Sequence, residues 1–310
     1  MTSSSFPHLH VASGWSLRHG ASSPEALVSV AADRGLTTLG LTDRDGVRGA
    51  VRFARAALAA GIAPVFGTNL AVAPPPTPGR APTQPRRTPV RGGRTLDQRL
   101  PRVTVLARGP QGWAALCRLV SAAHARADLT GERGRPTVDI DLIGEYAAQG
   151  SLVVMLGPDS DLGRMLARRR PDLATQVWRQ WQARVPVLRC EVVNHRGADS
   201  AGRSAPFAGH MLGWAHEQQA GVVLTNAVRY ARREDAPVAD VLDAARQLVP
   251  LDIRHLDRRT GEGYLKSSAQ MAEIAAEVAR LSGVGTERST VRALLTATDR
   301  LAQQLSLIHI

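Results

Sequence analysis

The chain has 310 residues, enough for one large α/β domain or two smaller ones, and a formal net charge of +12 at pH 7 that permits a nucleic-acid partner. Its composition excludes three features: no apolar run approaches the roughly 20 residues of a membrane span, the first residues are too polar for a secretion signal, and two cysteines make no disulfide framework. We therefore expect a cytoplasmic protein without a membrane partner.

The first 72 residues alternate between predicted helices and strands. A serine N-cap, a first-turn proline and a capping-box glutamate begin a helix at residues 22–25, and a β-branched, apolar run predicts a strand at residues 37–42. A second helix ends at Gly61, and a third strand lies within residues 64–72. The second helix carries an apolar face made of Val47, Val51, Ala54 and Leu58. This order predicts parallel strands joined by crossover helices.

The alternation resumes after residue 102. Strands are predicted at residues 103–107, 152–156, 187–193 and 221–225. Helices are predicted at residues 110–126, 162–169, 173–182, 206–219 and 267–281. About seven such β-α units favour an α/β barrel over an open sheet.

Residues 73–102 interrupt this pattern. The segment is rich in proline and arginine and almost free of large apolar residues, so it cannot bury enough surface to order itself. We predict a flexible surface insertion whose arginines can contact phosphate groups.

His8 and His10 are the first candidate site. Residues two apart on a strand point the same way, so a His-x-His at a strand end would aim both imidazoles into one cavity. Divalent metal sites often require such a pair of ligands. The function then depends on whether further ligands are present.

Several motifs in order resemble the PHP (polymerase and histidinol phosphatase) domain: HLH at residues 8–10, LTDRDGVRG at residues 41–49 and PVFGTNL at residues 64–70. More closely, QGWAALCRLVS, VLTNAVRY and YLKS, which begin at Gln111, Val223 and Tyr264, resemble the N-terminal PHP domain of bacterial C-family DNA polymerases, the DNA polymerase III α-subunit group. The TDRDG and NAVRY variants resemble the error-prone, translesion branch of that group.

The resemblance implies a distorted (β/α)7 barrel of PHP type with a metal cluster at the carboxyl ends of its strands. The implied ligands include a His-x-His, an Asp-His pair, a glutamate on the third strand and a closing Asp-x-His. The positions that match are His8, His10 and Asp43. The positions that depart are Arg44, Asn69, Ala227 and Arg229.

These departures remove metal-binding chemistry. Alanine donates no ligand, an asparagine oxygen binds a hard cation less well than a carboxylate does, and arginine stays protonated and repels cations. We therefore predict that His8, His10 and Asp43 are remnants of a metal site, and that the arginines pair with Asp43. Glu191 and His195 are interpreted as a hydrogen-bonded or surface pair.

The leading functional prediction is the N-terminal fragment of an error-prone DNA-directed DNA polymerase, a nucleotidyltransferase, acting as a scaffold in replication and repair synthesis. The resemblance implies two Mg²⁺ ions held by palm carboxylates beyond residue 310, so we predict no catalytic or cofactor-binding residue here. The implied partners are DNA, deoxynucleoside triphosphates and other replication or mutagenesis proteins. The alternatives are a stand-alone PHP metal-dependent phosphoesterase or 3′–5′ exonuclease and, third, a non-enzymatic interaction module.

The predicted domain boundaries follow from the same resemblance. Residues 1–250 form the PHP barrel, and residues 251–304 begin the connection to the polymerase core. Residues 305–310, LSLIHI, match the translation of a transposase adapter used in sequencing libraries, and we expect this tail to be non-native.

Overall fold

The computed structural model describes residues 5–73, 89–90, 94–95, 100–129, 136–197, 202–252 and 260–305. Its α-helices are α1 (Pro24–Asp33), α2 (Ala50–Ala59), α3 (Gly109–Leu129), α4 (Ile140–Ala147), α5 (Asp161–Ala167), α6 (Pro171–Gln182), α7 (Ala205–Glu217), α8 (Ala236–Gln247), α9 (Ser268–Ser282) and α10 (Glu287–Leu305). Its strands are β1 (Thr38–Arg44), β2 (Ala63–Val72), β3 (Pro89–Val90), β4 (Arg94–Thr95), β5 (Arg102–Ala107), β6 (Thr137–Val138), β7 (Leu152–Leu156), β8 (Leu188–Val193) and β9 (Val222–Thr225). Most of the predicted insertion and residues 306–310 lie outside the described residues.

The main sheet has the strand order β1-β2-β5-β7-β8-β9, with β6 paired to β2. Segment 8–12 connects its two edges. On one side the Gly40 amide of β1 donates to the His8 carbonyl at 2.7 Å. On the other, the Ala12 amide donates to the carbonyl of Val228, just beyond β9, at 2.8 Å. The expected distorted α/β barrel is thus confirmed, as a curled sheet whose edges meet through the N-terminal segment.

Strand β5 departs from the predicted parallel arrangement. It runs antiparallel to β2 and β7, whereas β1–β2, β7–β8 and β8–β9 are parallel pairs. The Val72 amide at the end of β2 donates to the Pro101 carbonyl at 2.8 Å, so the chain re-enters the sheet at the end where it left. A strand that does so must run in the opposite direction.

The two faces of the sheet bury different sets of residues. Outward residues such as Val103 and Val105 share the main core with Leu116 and Leu119 of α3. The inner cluster, near the amino ends of the parallel strands, includes Leu9, Val65, Leu106, Val153, Met155 and Val223. The barrel interior is therefore apolar at this end.

Helix α2 buries a different face from the one predicted. Its buried residues are Ala50, Phe53 and Ala57, whereas Val51 and Leu58 are exposed. The predicted face was wrong because the aromatic Phe53, which packs edge-on against Phe66 of β2, turns the helix toward the sheet. Among the described helices, none combines the length and apolar composition needed to cross a bilayer.

Helices α9 and α10 pack in the same cores as the strands. Met271, Ile274 and Val278 of α9 lie in the main core. Leu301 and Leu305 of α10 lie in the inner cluster, so this helix closes the barrel interior near the amino ends of the strands. The division at residue 250 stays a prediction.

Thr298 joins α10 to the sheet, and its hydroxyl has a measurable role. Thr298 Oγ1 accepts from the Leu224 amide of β9 at 3.0 Å and donates to the Leu294 carbonyl at 3.0 Å. Thr298→Val should lower the free energy of unfolding by roughly 1–2 kcal/mol, because the buried Leu224 amide loses its acceptor. Thr296→Val, at an exposed position of the same helix, is the matched control. Denaturant titration measures both, and equal losses would contradict this role.

Candidate functional site at the barrel mouth

Polar side chains gather on the inner face of the sheet at the end opposite α10. Leu41 and Leu70 pack outward, so strand alternation turns Arg44 and Asn69 inward and leaves Asp43 on the outer face. We call this end of the interior the mouth and define it by Arg44, Asn69, Thr104, Glu191 and Thr225. The resemblance places the implied metal cluster at the same end.

His8 lies apart from the mouth. It is buried, with Nε2 2.9 Å from the Lys266 carbonyl and its ring edge-on to Phe6. A carbonyl only accepts, so Nε2 carries the proton and cannot bind a metal, while Nδ1 has no partner among the described residues. Burial lowers the pKa of His8 to about 4, against the opposing effect of the hydrogen bond to Lys266, so His8 is neutral at pH 7.

His10 turns into the mouth. Its Nδ1 donates to Glu191 Oε1 at 2.6 Å, and the Thr225 hydroxyl donates to the same oxygen at 2.6 Å. A carboxylate on Nδ1 is the arrangement that orients Nε2 in many metal-binding histidines. The two histidines thus bind different partners, because segment 8–12 forms isolated bridges and not a regular strand. The expected shared cavity is not formed.

Serine hydroxyls hold the Asp43 carboxylate. Oδ1 accepts from the Ser13 amide at 2.7 Å and from the Ser16 hydroxyl at 2.7 Å, and Oδ2 accepts from the Ser13 hydroxyl at 2.9 Å. Burial raises the pKa of Asp43, and these hydrogen bonds oppose that rise. The predicted pairing of arginines with Asp43 is wrong, since neither Arg44 nor Arg229 bonds to this carboxylate among the described residues.

Arg102 binds the residue at the expected glutamate position. Its Nε donates to Asn69 Oδ1 at 2.6 Å, and its terminal nitrogen donates to the Asn69 carbonyl and to Asp45 Oδ1, each at 2.6 Å. Asn69 Nδ2 donates in turn to Thr104 Oγ1 at 3.1 Å. The Asn69 amide is therefore bound on both sides by protein groups.

A buried ion pair occupies the position of the closing ligand. Arg229 donates to both carboxylate oxygens of Asp243, at 2.8 and 3.0 Å, and to the His19 carbonyl. Arg246 lies 3.4 Å from the same carboxylate. Ala227 adopts a left-handed backbone, with φ of 39°. Here α8 turns charged groups inward and supplies the counter-ion for Arg229.

Comparison with known proteins identifies the family. The protein-family model of the PHP domain matches residues 8–188. The chain belongs to the PHP domain family. This PHP domain is 33% identical over 276 residues to the error-prone DNA polymerase of Mycolicibacterium paratuberculosis, covering 87% of this chain and 23% of the relative. It is 31% identical over 277 residues to DNA polymerase III subunit alpha of Treponema pallidum, and the match covers 88% of this chain and 22% of that relative.

The chain thus spans about a quarter or less of the length of these relatives and matches their N-terminal regions. Among solved structures, an amidohydrolase from Chromobacterium violaceum is similar with a TM-score of 0.44 and 16% identity, covering 72% of this chain and 87% of that one.

The side chains of this PHP domain do not fit the metal cluster that its family implies. His8 bonds to the Lys266 carbonyl away from the mouth, Asp43 accepts from serines on the outer side of β1, and Asn69 Oδ1 accepts from Arg102, so these groups do not converge on one ion. Within the described residues, no group of three His, Cys, Asp or Glu side chains could hold a metal ion. Of the candidate ligands, His10 alone keeps the orientation of a ligand.

Glu191 and His195 do not pair with each other. Glu191 binds His10 and Thr225, whereas His195 Nε2 donates to the Asn226 carbonyl at 2.7 Å. Burial, reinforced by Arg203, lowers the pKa of His195 well below its usual value, so this histidine is neutral. No local pattern marks the roles of Arg102, Thr225 or Asp243, because Arg102 and Thr225 bond to residues 33 and 34 positions away and Asp243 pairs with an arginine 14 positions away.

Proposed function

We propose that this PHP domain is the N-terminal part of an error-prone, translesion DNA polymerase and acts there as a scaffold in replication and repair synthesis. The observation that carries the proposal is the match, at 33% identity over 87% of the chain, to an error-prone DNA polymerase that is about four times longer. Nucleotidyl transfer, its Mg²⁺ ions and the binding of DNA and deoxynucleoside triphosphates then belong to the part of the parent that follows, in line with the family's order. Other replication or mutagenesis proteins are further partners of that parent.

The geometry supports a structural role over a catalytic one. The Asp43 carboxylate accepts from serines, Glu191 accepts from His10 and Asp45 accepts from Arg102, so each is held by a group of the fold. A general base or metal ligand needs a free lone pair directed at a substrate or ion. The polar groups of this domain are used to join strands, turns and α8.

An exchange experiment tests the scaffold role. The N-terminal region of the error-prone polymerase of Mycobacterium tuberculosis, 33% identical over 282 residues, is replaced by this chain or deleted. We expect primer extension by the exchanged polymerase and a loss of extension in the deleted form, because the polymerase body needs a PHP surface to pack on. Equal extension by the deleted and intact polymerases would contradict the scaffold role.

The alternative, a stand-alone phosphoesterase or 3′–5′ exonuclease, requires the metal cluster. We expect the purified chain to release no nucleotide from 3′-labelled DNA with Mn²⁺ or Zn²⁺ present, and to incorporate none. His10→Ala is the matched control for any trace activity, since His10 is the residue with ligand orientation. Metal-dependent release that His10→Ala abolishes would favour the exonuclease.

A further inference from the structure

We propose that the groove between α2 and α3, on the outside of the barrel, docks an acidic amphipathic helix of a separate protein. The proposal does not rest on the polymerase assignment, so its failure would leave that assignment intact. The α2–α3 groove is defined by six apolar residues: Val47, Val51, Ala54, Leu58, Phe66 and Trp113.

Helix α2 is apolar on two faces, and the described part of the chain buries one of them. Phe53 and Ala57 turn inward, whereas Val51 and Leu58 are 71% and 62% exposed. Val51 and Leu58 are seven residues apart, so they lie on one side of the helix, with Ala54 between them. An apolar stripe of this kind ordinarily packs against another element, so its exposure indicates a contact with a further partner.

A cleft beside this stripe gives the surface depth. Its apolar lining includes Val47 and Ala50 on the α2 side, Phe66 of β2 and, from α3, Trp113. The Phe66 and Trp113 rings lie 5.2 Å apart, and both side chains are half-buried. Asp43 also lines the cleft, but its carboxylate oxygens accept from serines. Aromatic side chains in a recess are typical anchors of a protein interface.

Arginines along α2 set the charge of the partner. Arg48, Arg52 and Arg55 are exposed, and residues 46–61 include no aspartate or glutamate. Arg52 pairs with Glu25 at 2.6 Å, whereas Arg48 and Arg55 form no ion pair among the described residues. Carboxylates on the partner would supply the missing counter-ions, and this complementarity indicates an acidic surface.

The same surface disfavours other classes of partner. A nucleic-acid backbone is bound by basic and hydrogen-bonding groups, which would leave Val51 and Leu58 without a role. A membrane-bound helix needs a broad apolar face, but α2 has ten residues and turns Phe53 inward. Permanent interfaces are more hydrophobic than one with arginines beside its aliphatic side chains. These features favour a reversible partner whose helix lays its apolar face into the groove.

Fluorescence anisotropy of a designed peptide tests the proposal. The probe is a fluorescein-labelled helix of about five turns, with leucine on one face and glutamate on the other. We expect saturable binding to the purified chain, and Val51→Ser/Leu58→Ser should weaken it at least about tenfold. Val238→Ser/Val241→Ser, at two aliphatic positions of α8 that are about half exposed, should bind as the parent does. Absence of saturable binding, or equal affinity in Val51→Ser/Leu58→Ser and the parent, would overturn the proposal.

A charge variant tests the acidic character of the partner while keeping every apolar side chain. Arg48→Gln/Arg55→Gln should bind the glutamate peptide about fivefold more weakly than the parent does, because two ion pairs are lost. It should bind a peptide with glutamine in place of glutamate as the parent does. Equal affinity of this variant and the parent for the glutamate peptide would overturn the acidic assignment.

Two further arms cover the other partners and folding. Duplex DNA and vesicles of phosphatidylcholine with phosphatidylglycerol are titrated with the parent and with Val51→Ser/Leu58→Ser, and we expect no difference between the two proteins. Weaker binding of DNA or vesicles by the variant would assign the groove to that partner and overturn the proposal. The variant should also keep the Tm of the parent, because both side chains are exposed. A lower Tm would show that they pack within this chain, against the proposal.

Discussion

Replacing Arg229 with methionine is expected to lower the free energy of unfolding by about 3–5 kcal/mol, the cost of breaking a buried ion pair. The guanidinium donates to the fully buried Asp243 at 2.8 and 3.0 Å and to the His19 carbonyl at 3.1 and 3.2 Å. Without it, Arg246 at 3.4 Å is the basic group that remains beside Asp243 among the described residues. Denaturant titration monitored by circular dichroism measures the loss.

The double variant Arg229→Met/Asp243→Leu separates the buried charge from lost packing. It should recover more than half of the loss, because no uncompensated carboxylate remains in the interior. Arg232→Met, which removes an exposed arginine 3.6 Å from Asp33, should cost less than about 1 kcal/mol. Equal losses for the two single variants would show that the Arg229 pair does not stabilise the barrel.

Acidification from pH 6.5 to about 4 is expected to remove about 3 kcal/mol of stability through His8 alone. Burial lowers the pKa of His8 to about 4, from a usual value of 6.5. Between these values the unfolded chain binds a proton that the folded protein does not, so unfolding becomes more favourable as the pH falls. Below about pH 4 both forms are protonated, and this contribution is fully lost.

His8→Gln isolates this contribution, because glutamine does not titrate but can still donate to the Lys266 carbonyl. Over the same pH range its free energy of unfolding should fall by about 3 kcal/mol less than that of the parent. His19 and His195 titrate in the same direction in both proteins, since burial lowers their pKa values too. His216→Gln, at an exposed position, should follow the parent. Parallel curves for His8→Gln and the parent would refute the assignment to His8.

Local patterns made most of the fold predictable. The serine N-cap predicted near residue 22 is Ser23, whose hydroxyl accepts from the Ala26 amide at 3.2 Å, and the strand predicted at residues 152–156 has those bounds. Such features depend on neighbours within a few residues. The direction of β5 could not be predicted in this way, because it depends on where residues 73–101 return the chain to the sheet.

The site was less predictable because its contacts join distant residues. Motif positions drew attention to Asp43, Asn69 and Arg229 but did not indicate their partners. Asn69 meets Arg102, 33 residues away, and His10 meets Glu191, 181 residues away. Strand alternation would have placed Arg44 and Asp43 on opposite faces, and this signal argued against the pairing that we predicted.

Metal content is the most direct test of the central claim, that this PHP domain is built without the metal cluster its family implies. The purified chain is incubated with Zn²⁺ or Mn²⁺, desalted and measured by inductively coupled plasma mass spectrometry. We predict substoichiometric metal, with the same value for His10→Ala, because His8, Asp43 and Asn69 bond to separate protein groups and do not converge on one ion. Stoichiometric, tightly bound metal that His10→Ala removes would contradict it.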